Sequence, residues 1–438
     1  DWDSTIDDSF FYPGFSISWL PTSSFDIFKG SFLDYLKIRG GWAKIGSATG
    51  AYDNGTYYNG VANIINGQGQ FYLPTTLPPQ GLKPESIVTA EIGIEAKMFD
   101  ERLNLDMSFY SKKTTNEILS MAVSIPTGYS SMLINAGDFR NKGVEIQLNG
   151  VILKTKDFYW DVTLNWSKDV SHIEELYTNP ITGEELQNYQ IGEEWSTYVY
   201  AKAPDKDENG NITKKYSWGT LFGEGHKTDE NGNVIVNSAG YPETEQKVLG
   251  NVMPDWMASL NTELKYKNLS FGFMLDYRHG GDFFSVTSMW GQYTGILDFT
   301  AEGNSREIHP VFGKDIYKDL TFVKEDGTPN DIPVDAETAF HNAYQDRSMS
   351  VADGSFLKLR EMHLTYKVPK KFFSKIEFVK GANISVIGNN LAILWLDPSN
   401  YAKIDPESST GSGNSGVGLE SGAVMPSRSI GVKVGLTF

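Results

Sequence analysis

The feature that most restricts how this chain can fold is an every-second-residue alternation of apolar and polar side chains, recurring in segments of about ten residues. Leu103, Leu105, Met107 and Phe109 alternate with Asn104, Asp106 and Ser108. Val144, Ile146 and Leu148 alternate with Glu145, Gln147 and Asn149, and Trp160, Val162, Leu164 and Trp166 with Asp161, Thr163 and Asn165. Further on, Leu260, Thr262, Leu264 and Tyr266 oppose Asn261, Glu263 and Lys265, while Phe271, Phe273, Leu275 and Tyr277 oppose Gly272, Met274, Asp276 and Arg278. The final segment places Ile430, Val432, Val434, Leu436 and Phe438 on one face and Gly431, Lys433, Gly435 and Thr437 on the other. A period of two is that of a β-strand, so the expected fold is all-β. A strand that runs to the last residue should be paired on both sides or close a sheet, because loose termini fray.

Alternation alone fits two architectures. In a soluble sandwich the apolar faces pack on each other, and in a transmembrane antiparallel β-barrel they meet lipid. Two patterns favour the barrel. Aromatics sit towards the ends of the apolar faces, as in Trp160 and Trp166, Trp256 and Tyr266, and Tyr366, where a lipid-facing band meets its interfaces. The connections are also very unequal: Phe99 to Arg102, Lys154 to Asp157 and Lys267 to Leu269 are tight, whereas 47–85, 172–253, 281–354 and 395–427 are long. Outer-membrane barrels have short periplasmic turns and long extracellular loops. Strands are expected at 10–20, 34–46, 86–98, 102–120, 140–153, 158–169, 255–267, 269–280, 355–367, 381–394 and 427–438, which makes eleven. Closed bacterial barrels have even counts, so the chain is expected to be part of one. Leu357 and Leu359 occupy one parity while Met362, Leu364 and Tyr366 occupy the other. A β-bulge near Arg360 and Glu361 would restore the register. Residues 21–33 are expected to hold a short helical turn.

Composition narrows the function classes. The 438 residues contain no cysteine, which rules out disulfides, thiolate metal sites and cysteine nucleophiles. The longest apolar run, Leu391 to Leu396, is far below the roughly 18 to 20 residues of a membrane helix. That excludes helical spans and leaves barrels untouched. A net charge of -17 argues against a nucleic-acid partner, which needs clustered Lys and Arg.

Local motifs add less. DKDENGN at 205–211 places Asp205, Asp207 and Asn209 at the first, third and fifth positions of a calcium loop, but Tyr216 stands where the bidentate Glu belongs. The same DENGN recurs at 229–233, and Asn-Gly is equally a hairpin turn signal. The alternatives are a turn and a weak extracellular calcium site. GSGNSG at 411–416 lacks the strand and helix of a dinucleotide fingerprint and reads as a loop. His172, His226, His279, His309, His341 and His363 form no metal motif, and Glu193-Glu194 is an ordinary coincidence in an acidic chain, so no catalytic constellation stands out. The long loops carry Trp195, Tyr198, Tyr200 and Trp218 in one case and Trp290 with Tyr293 in another. Flat rings could contact sugar or peptide there, or pack on one another.

Several stretches together resemble the C-terminal half of the SusC/RagA-type TonB-dependent outer-membrane transporters. They are FFYPGFSISWL, LKIRGGWAKIGS, PESIVTAEIGIEAKMFDERLNLDMSFY, NAGDFRNKGVEIQLNG, QKVLGNVMPDW, FLKLREMHLTYKVP, Asn389-Asn390-Leu391, Asp405-Pro406-Glu407 and PSRSIGVKVGLTF. The resemblance implies that residues 1–438 form the C-terminal part of a barrel of about 22 strands, the size of plugged outer-membrane transporters. It implies a Gram-negative outer membrane with lipid and lipopolysaccharide around the barrel. It further implies import of glycans or oligopeptides, a SusD-like surface lipoprotein as lid, and an N-terminal remainder with plug and TonB box that couples to TonB. Val434, Leu436 and Phe438 would form the C-terminal signal that assembly reads and that closes the barrel. The rival from another class is a secreted or surface adhesin or carbohydrate-binding protein with a sandwich core.

Overall fold

The computed structural model describes residues 11–26, 32–47, 57–60, 68–77, 82–178, 183–372, 378–408 and 417–438. Its main element is one antiparallel sheet of eleven strands, each paired with its neighbours in sequence order. These are β1 (Gly14–Trp19), β2 (Leu33–Ser47), β3 (Glu85–Met98), β4 (Leu103–Thr115), β5 (Gly137–Lys154), β6 (Phe158–Leu176), β7 (Trp256–Tyr266), β8 (Leu269–His279), β9 (Phe356–Val368), β10 (Gly381–Leu396) and β11 (Ser429–Thr437). All eleven expected strands are present with shifted ends, and β5 and β6 run further beyond the long-loop end than the alternation indicated. A helical turn, α1 (Pro21–Ser24), follows β1, with Pro at its first position. The rest of the expected turn, 27–31, and GSGNSG lie outside the described residues.

The register decides between sandwich and barrel. Trp19, Ile38, Ile94, Met107, Ile146, Trp166, Ala258, Tyr277, Leu357 and Trp395 are successive cross-strand partners, one from each of β1 to β10. This apolar row climbs from the tight-turn end of β1 to the long-loop end of β10, the stagger that tilted barrel strands require. No second layer covers it among the described residues: Phe109 and Leu164, in the middle of the sheet, are 42 % and 44 % exposed, and Ile430 and Val432 are each 71 % exposed. A sandwich would bury that face. Aromatic rings border it as expected, with Trp19, Trp160, Tyr266 and Tyr366 towards the tight-turn end and Trp42, Trp166, Trp256, Tyr277 and Trp395 towards the other. Among the described residues β1 and β11 are the two edges of the sheet, and each pairs on one side only.

The opposite face is polar and built on a repeated device. Arg39 on β2 passes over Gly93 on β3 to reach Asp106 on β4 at 2.8 Å and Ser108 at 2.6 Å. Tyr110 on β4 passes over Gly143 on β5 to donate to Asp169 on β6 at 2.7 Å. His363 on β9 passes over Gly272 on β8 to meet Glu263 on β7 at 2.9 Å. In each case the glycine is the direct cross-strand partner of the residue above it. Any Cβ there would collide with the crossing side chain, so each glycine is the gap through which alternate strands connect.

The expected bulge is present. Leu359 pairs with Leu275 and Glu361 with Met274, leaving Arg360 as the extra residue of β9. Its guanidinium bonds Asp276 and, through both terminal nitrogens, Glu407 at 2.6 and 2.7 Å. Lys358, almost fully buried, holds Asp405 and Glu407 at 2.5 Å each. Arg360 thus adds a second inward cation beside Lys358, and together they fasten the Asp405-Pro406-Glu407 element to the inner wall.

The long connections fold as well. Asn188–Glu194, Thr197–Lys202, Thr220–His226 and Thr244–Asn251 make a four-stranded antiparallel sheet. α2 (Val286–Tyr293) begins with Ser285 capping the Ser288 amide, and α3 (Ala336–His341) with Asp335 capping Thr338. One core joins Val199, Leu221, Val252, Phe284, Val286, Met289 and Leu419. A second contains Val234, Val236, Phe312, Tyr317, Phe322 and Phe340. Buried Gln292 ties the two regions by accepting from the Tyr317 hydroxyl at 2.7 Å and donating to the Met349 carbonyl at 2.9 Å.

Candidate functional site

The loop aromatics divide into three settings. The hairpin joining Asn188–Glu194 to Thr197–Lys202 turns at Trp195 and Ser196, whose φ values of 49° and 57° are both left-handed. A two-residue turn of this kind favours Asn-Gly, and each non-glycine residue in it carries strain of about 1–2 kcal/mol. Trp195 is held there by its carbonyl, which accepts from Arg347 Nε at 3.0 Å. Its ring meets Trp290 edge-on at 5.4 Å and lies 6.2 Å from Tyr344. Trp290 also contacts Tyr293 and Tyr344, and Tyr293 stacks on His341 at 3.9 Å. Trp195, Trp290 and Tyr293, drawn from two loops, therefore form one cluster, to which the structure adds Tyr344, His341 and Arg347.

Tyr198 and Tyr200 form a second setting. They point to the same side of their strand with rings parallel at 5.4 Å, and Phe222 lies 5.6 Å from Tyr200 on the neighbouring strand. The alternate residues, Thr197, Val199 and Ala201, are fully buried. Ala201 packs with Phe139 and Ile173, which share the inward parity of β5 and β6, so the Tyr198 and Tyr200 face looks away from the barrel wall, towards the space above the lumen. Glu193 and Gln190 flank the rings as cross-strand neighbours. Burial, reinforced by the Tyr198 and Glu193 charges, raises the Tyr200 hydroxyl's pKa. Trp218 is a third case. It is half-buried and packs against two of the cores, apart from the other aromatics.

At 205–211 the side chains serve a hairpin. Asp207 Oδ1 accepts the Asn209 and Asn211 amides at 2.9 and 2.8 Å, and Gly210 takes φ 80°. Asp205 accepts from Lys202 at 2.8 Å and from the Tyr216 hydroxyl at 2.6 Å, contacts that hold its carboxyl below the usual range. Asn209 contributes its amide to the turn. Tyr216, at the position where a calcium loop needs a bidentate carboxylate, thus anchors the first aspartate instead. Among the described residues no group of three or more His, Asp or Glu is placed to hold a metal ion. The second DENGN copies the arrangement, with Asp229 receiving Asn231 and Asn233.

Below the loop sheet a cleft of about 380 Å³ lies against Asp169, Asp255, Asp282 and Asp353 at the top of the inner wall. Burial pushes the Asp282 carboxyl up to about 6, opposed by the Asn251 amide that it accepts at 2.8 Å and aided by Asp353 and Asp255. At the other end of the molecule Val434 and Leu436 pair with Ile384 and Ala382 on the outward face, and the Phe438 ring stacks on Phe378 at 5.9 Å.

The family model described as TonB dependent receptor-like, beta-barrel matches residues 1–307. TonB-dependent receptor P26 of Formosa agariphila is 25 % identical over 98 % of this chain and 42 % of its own length. TonB-dependent receptor SusC of Bacteroides thetaiotaomicron is 25 % identical over 60 % of the chain and 27 % of its own length. The structure of the RagAB peptide transporter superposes with a TM-score of 0.66 at 17 % identity, over 98 % of this chain and 43 % of that one, a likeness of fold. The chain spans about two fifths of the length of the first curated relatives it matches.

Proposed function

The chain belongs to the TonB dependent receptor-like β-barrel family and lies in the outer membrane, and on that premise we propose that it is the C-terminal part of the barrel of a nutrient importer. The observation that carries this reading is the two-sided sheet: an apolar, uncovered outer face and a glycine-bridged polar inner face, overhung at one end by folded loops. Strands of the remainder of the transporter pair with the free edges of β1 and β11 and close the wall. The remainder also supplies the plug and the contact with TonB, and Val434, Leu436 and Phe438 act as the strand end recognised during assembly.

The cargo in this reading is a glycan or oligopeptide too large to diffuse through a porin, held at the mouth by Trp195, Trp290, Tyr293, Tyr198 and Tyr200 and enclosed by a SusD-like surface lipoprotein. The comparisons support the assignment: one relative is SusC, and RagAB, similar in fold, is a peptide transporter. The function is binding and passage, with no reacting group required. The test is removal of 177–255 and 280–355 from the full transporter. The expected result is loss of lipoprotein co-purification with a barrel whose electrophoretic mobility remains heat-modifiable. Retention of the lipoprotein by the trimmed barrel would overturn the lid assignment.

A further inference from the structure

Arg347 opens the short helical turn Arg347–Ser350 and is only 8 % exposed. A guanidinium this far from water ordinarily has an anion against it, because an unpaired buried charge is costly. Arg39, Arg140 and Arg360, all more exposed than Arg347, each have a carboxylate oxygen within 2.8 Å. Arg278 is surrounded instead by the carbonyls of Val252, Gly280 and Gly281. Arg347 has neither arrangement. Its Nε donates to one carbonyl, that of Trp195, its Nη1 lies 3.6 Å from the Met289 sulfur, and Nη2 has no hydrogen-bond partner among the described residues.

Glu224 and Asp346 lie near enough to attract the guanidinium, but neither forms an ion pair or hydrogen bond with it among the described residues. Asp346 accepts from His226 and from the Ser348 amide at 3.0 Å each, and Glu224 accepts from Gln246 at 2.7 Å. The guanidinium instead lies 4.9 Å from the Tyr344 ring centre and is tied to the backbone of Trp195, whose ring contacts both Trp290 and Tyr344. Trp195 and Tyr344 are 42 % and 37 % exposed, so the niche reaches the surface of the mouth.

We infer that Arg347 binds a carboxylate of the imported ligand, and that the ligand is an oligopeptide whose free C-terminus enters this niche. The inference rests on the proposed ligand role of the mouth aromatics and gives that site a chemical preference. The carboxylate takes the free Nη2 and the outer N–H of Nη1, a charge-assisted pair of bonds. The apolar side chain next to it lies on Trp195 and Tyr344. A uronic acid would present the same carboxylate together with ring hydroxyls, each needing a partner. The walls here are Met289, Trp195, Trp290 and Tyr344, with Asp346 and Glu224 already bonded, so the peptide terminus fits better.

The test uses the full transporter in detergent and follows tryptophan fluorescence during titration with a leucine-ended hexapeptide, its C-terminal amide and an oligogalacturonide. Wild type should bind the free acid at least about tenfold more tightly than the amide, the size of a lost charged hydrogen bond. Arg347→Gln should reduce the free acid to the level of the amide and leave the amide unchanged. Arg347→Lys, which keeps the charge, should retain part of the preference, and unaltered near-ultraviolet circular dichroism shows that the Trp195 turn is intact. Equal binding of acid and amide to wild type, or no effect of Arg347→Gln, overturns the Arg347 assignment while leaving a ligand role for the mouth standing. Preference for the oligogalacturonide overturns the peptide assignment. Binding of none of the three overturns the mouth reading as well.

Discussion

Single residues on the inner face matter through the strand beyond their neighbour. A methyl at Gly143 would lie 2.2 Å from the Tyr110 ring, so Gly143→Ala must push the ring aside and break its bond to Asp169. We expect a loss of about 1–3 kcal/mol, measured as a lower temperature for loss of the compact electrophoretic form. Gly150→Ala, where the nearest atom is at 3.6 Å, should leave that temperature unchanged. The glycines are visible in the sequence but their use is not, because it depends on which residue the register sets opposite each one. Asp282 makes a second case. Its carboxyl stands at about 6 against 3.8 for an ordinary aspartate, so the neutral form is favoured in the fold. Its contribution to stability is present at low pH and is lost as pH rises from about 3.8 through about 6. Asp282→Asn keeps an acceptor for Asn251 and removes the charge. It should raise stability at pH 7 by about 1–3 kcal/mol and flatten the dependence of the unfolding midpoint between pH 4 and 6.

Among the elements, β9 shows most clearly what the sequence could convey. The parity switch between Leu359 and Met362 narrowed the bulge to Arg360 or Glu361, and the register assigns it to Arg360, because a membrane wall tolerates no inversion of its apolar face. What the parity left hidden is the purpose of the extra residue: Arg360 clamps Glu407, whose carboxyl, despite burial, is held at about 2 by Arg360 and Lys358. A depressed carboxyl stabilises above its ordinary pKa of 4.5 and loses that effect as pH falls towards 2. The clamp should therefore be constant from pH 5 upward and release only in stronger acid. Arg360→Leu at neutral pH should expose 397–408 to limited proteolysis without shifting barrel mobility, and continued resistance of that segment would count against the clamp. The aromatic hairpin is the opposite case. Trp195 and Trp290 belong to different loops, and no periodicity joins them. Their meeting follows from the cores beneath, whose residues alternate in no regular way along the chain.

For the molecule as a whole, the sheet and the loop assembly hold together by different forces. The sheet keeps its outer side chains in hydrocarbon, whereas the loops bury Phe312, Phe284 and their neighbours from water. Phe312→Ala should cost about 3–5 kcal/mol in the loops. Calorimetry should then show an early transition for the loops, separated from a barrel transition that stays in place. A single merged transition would mean that the two regions unfold as one. The eleven-strand architecture was legible because the wall strands share one alternation, which β9 interrupts only at its bulge. The loop assembly was not, since its hydrophobic interior is assembled from distant short pieces. That interior also bears on selectivity. A mouth stiffened by its own packed interior does not have to freeze floppy segments around each arriving guest, so recognition loses little to ordering. In the proposed importer, discrimination between guests then lies in the fixed contour of the opening, and recutting that contour would change the diet while the wall below stays as it is.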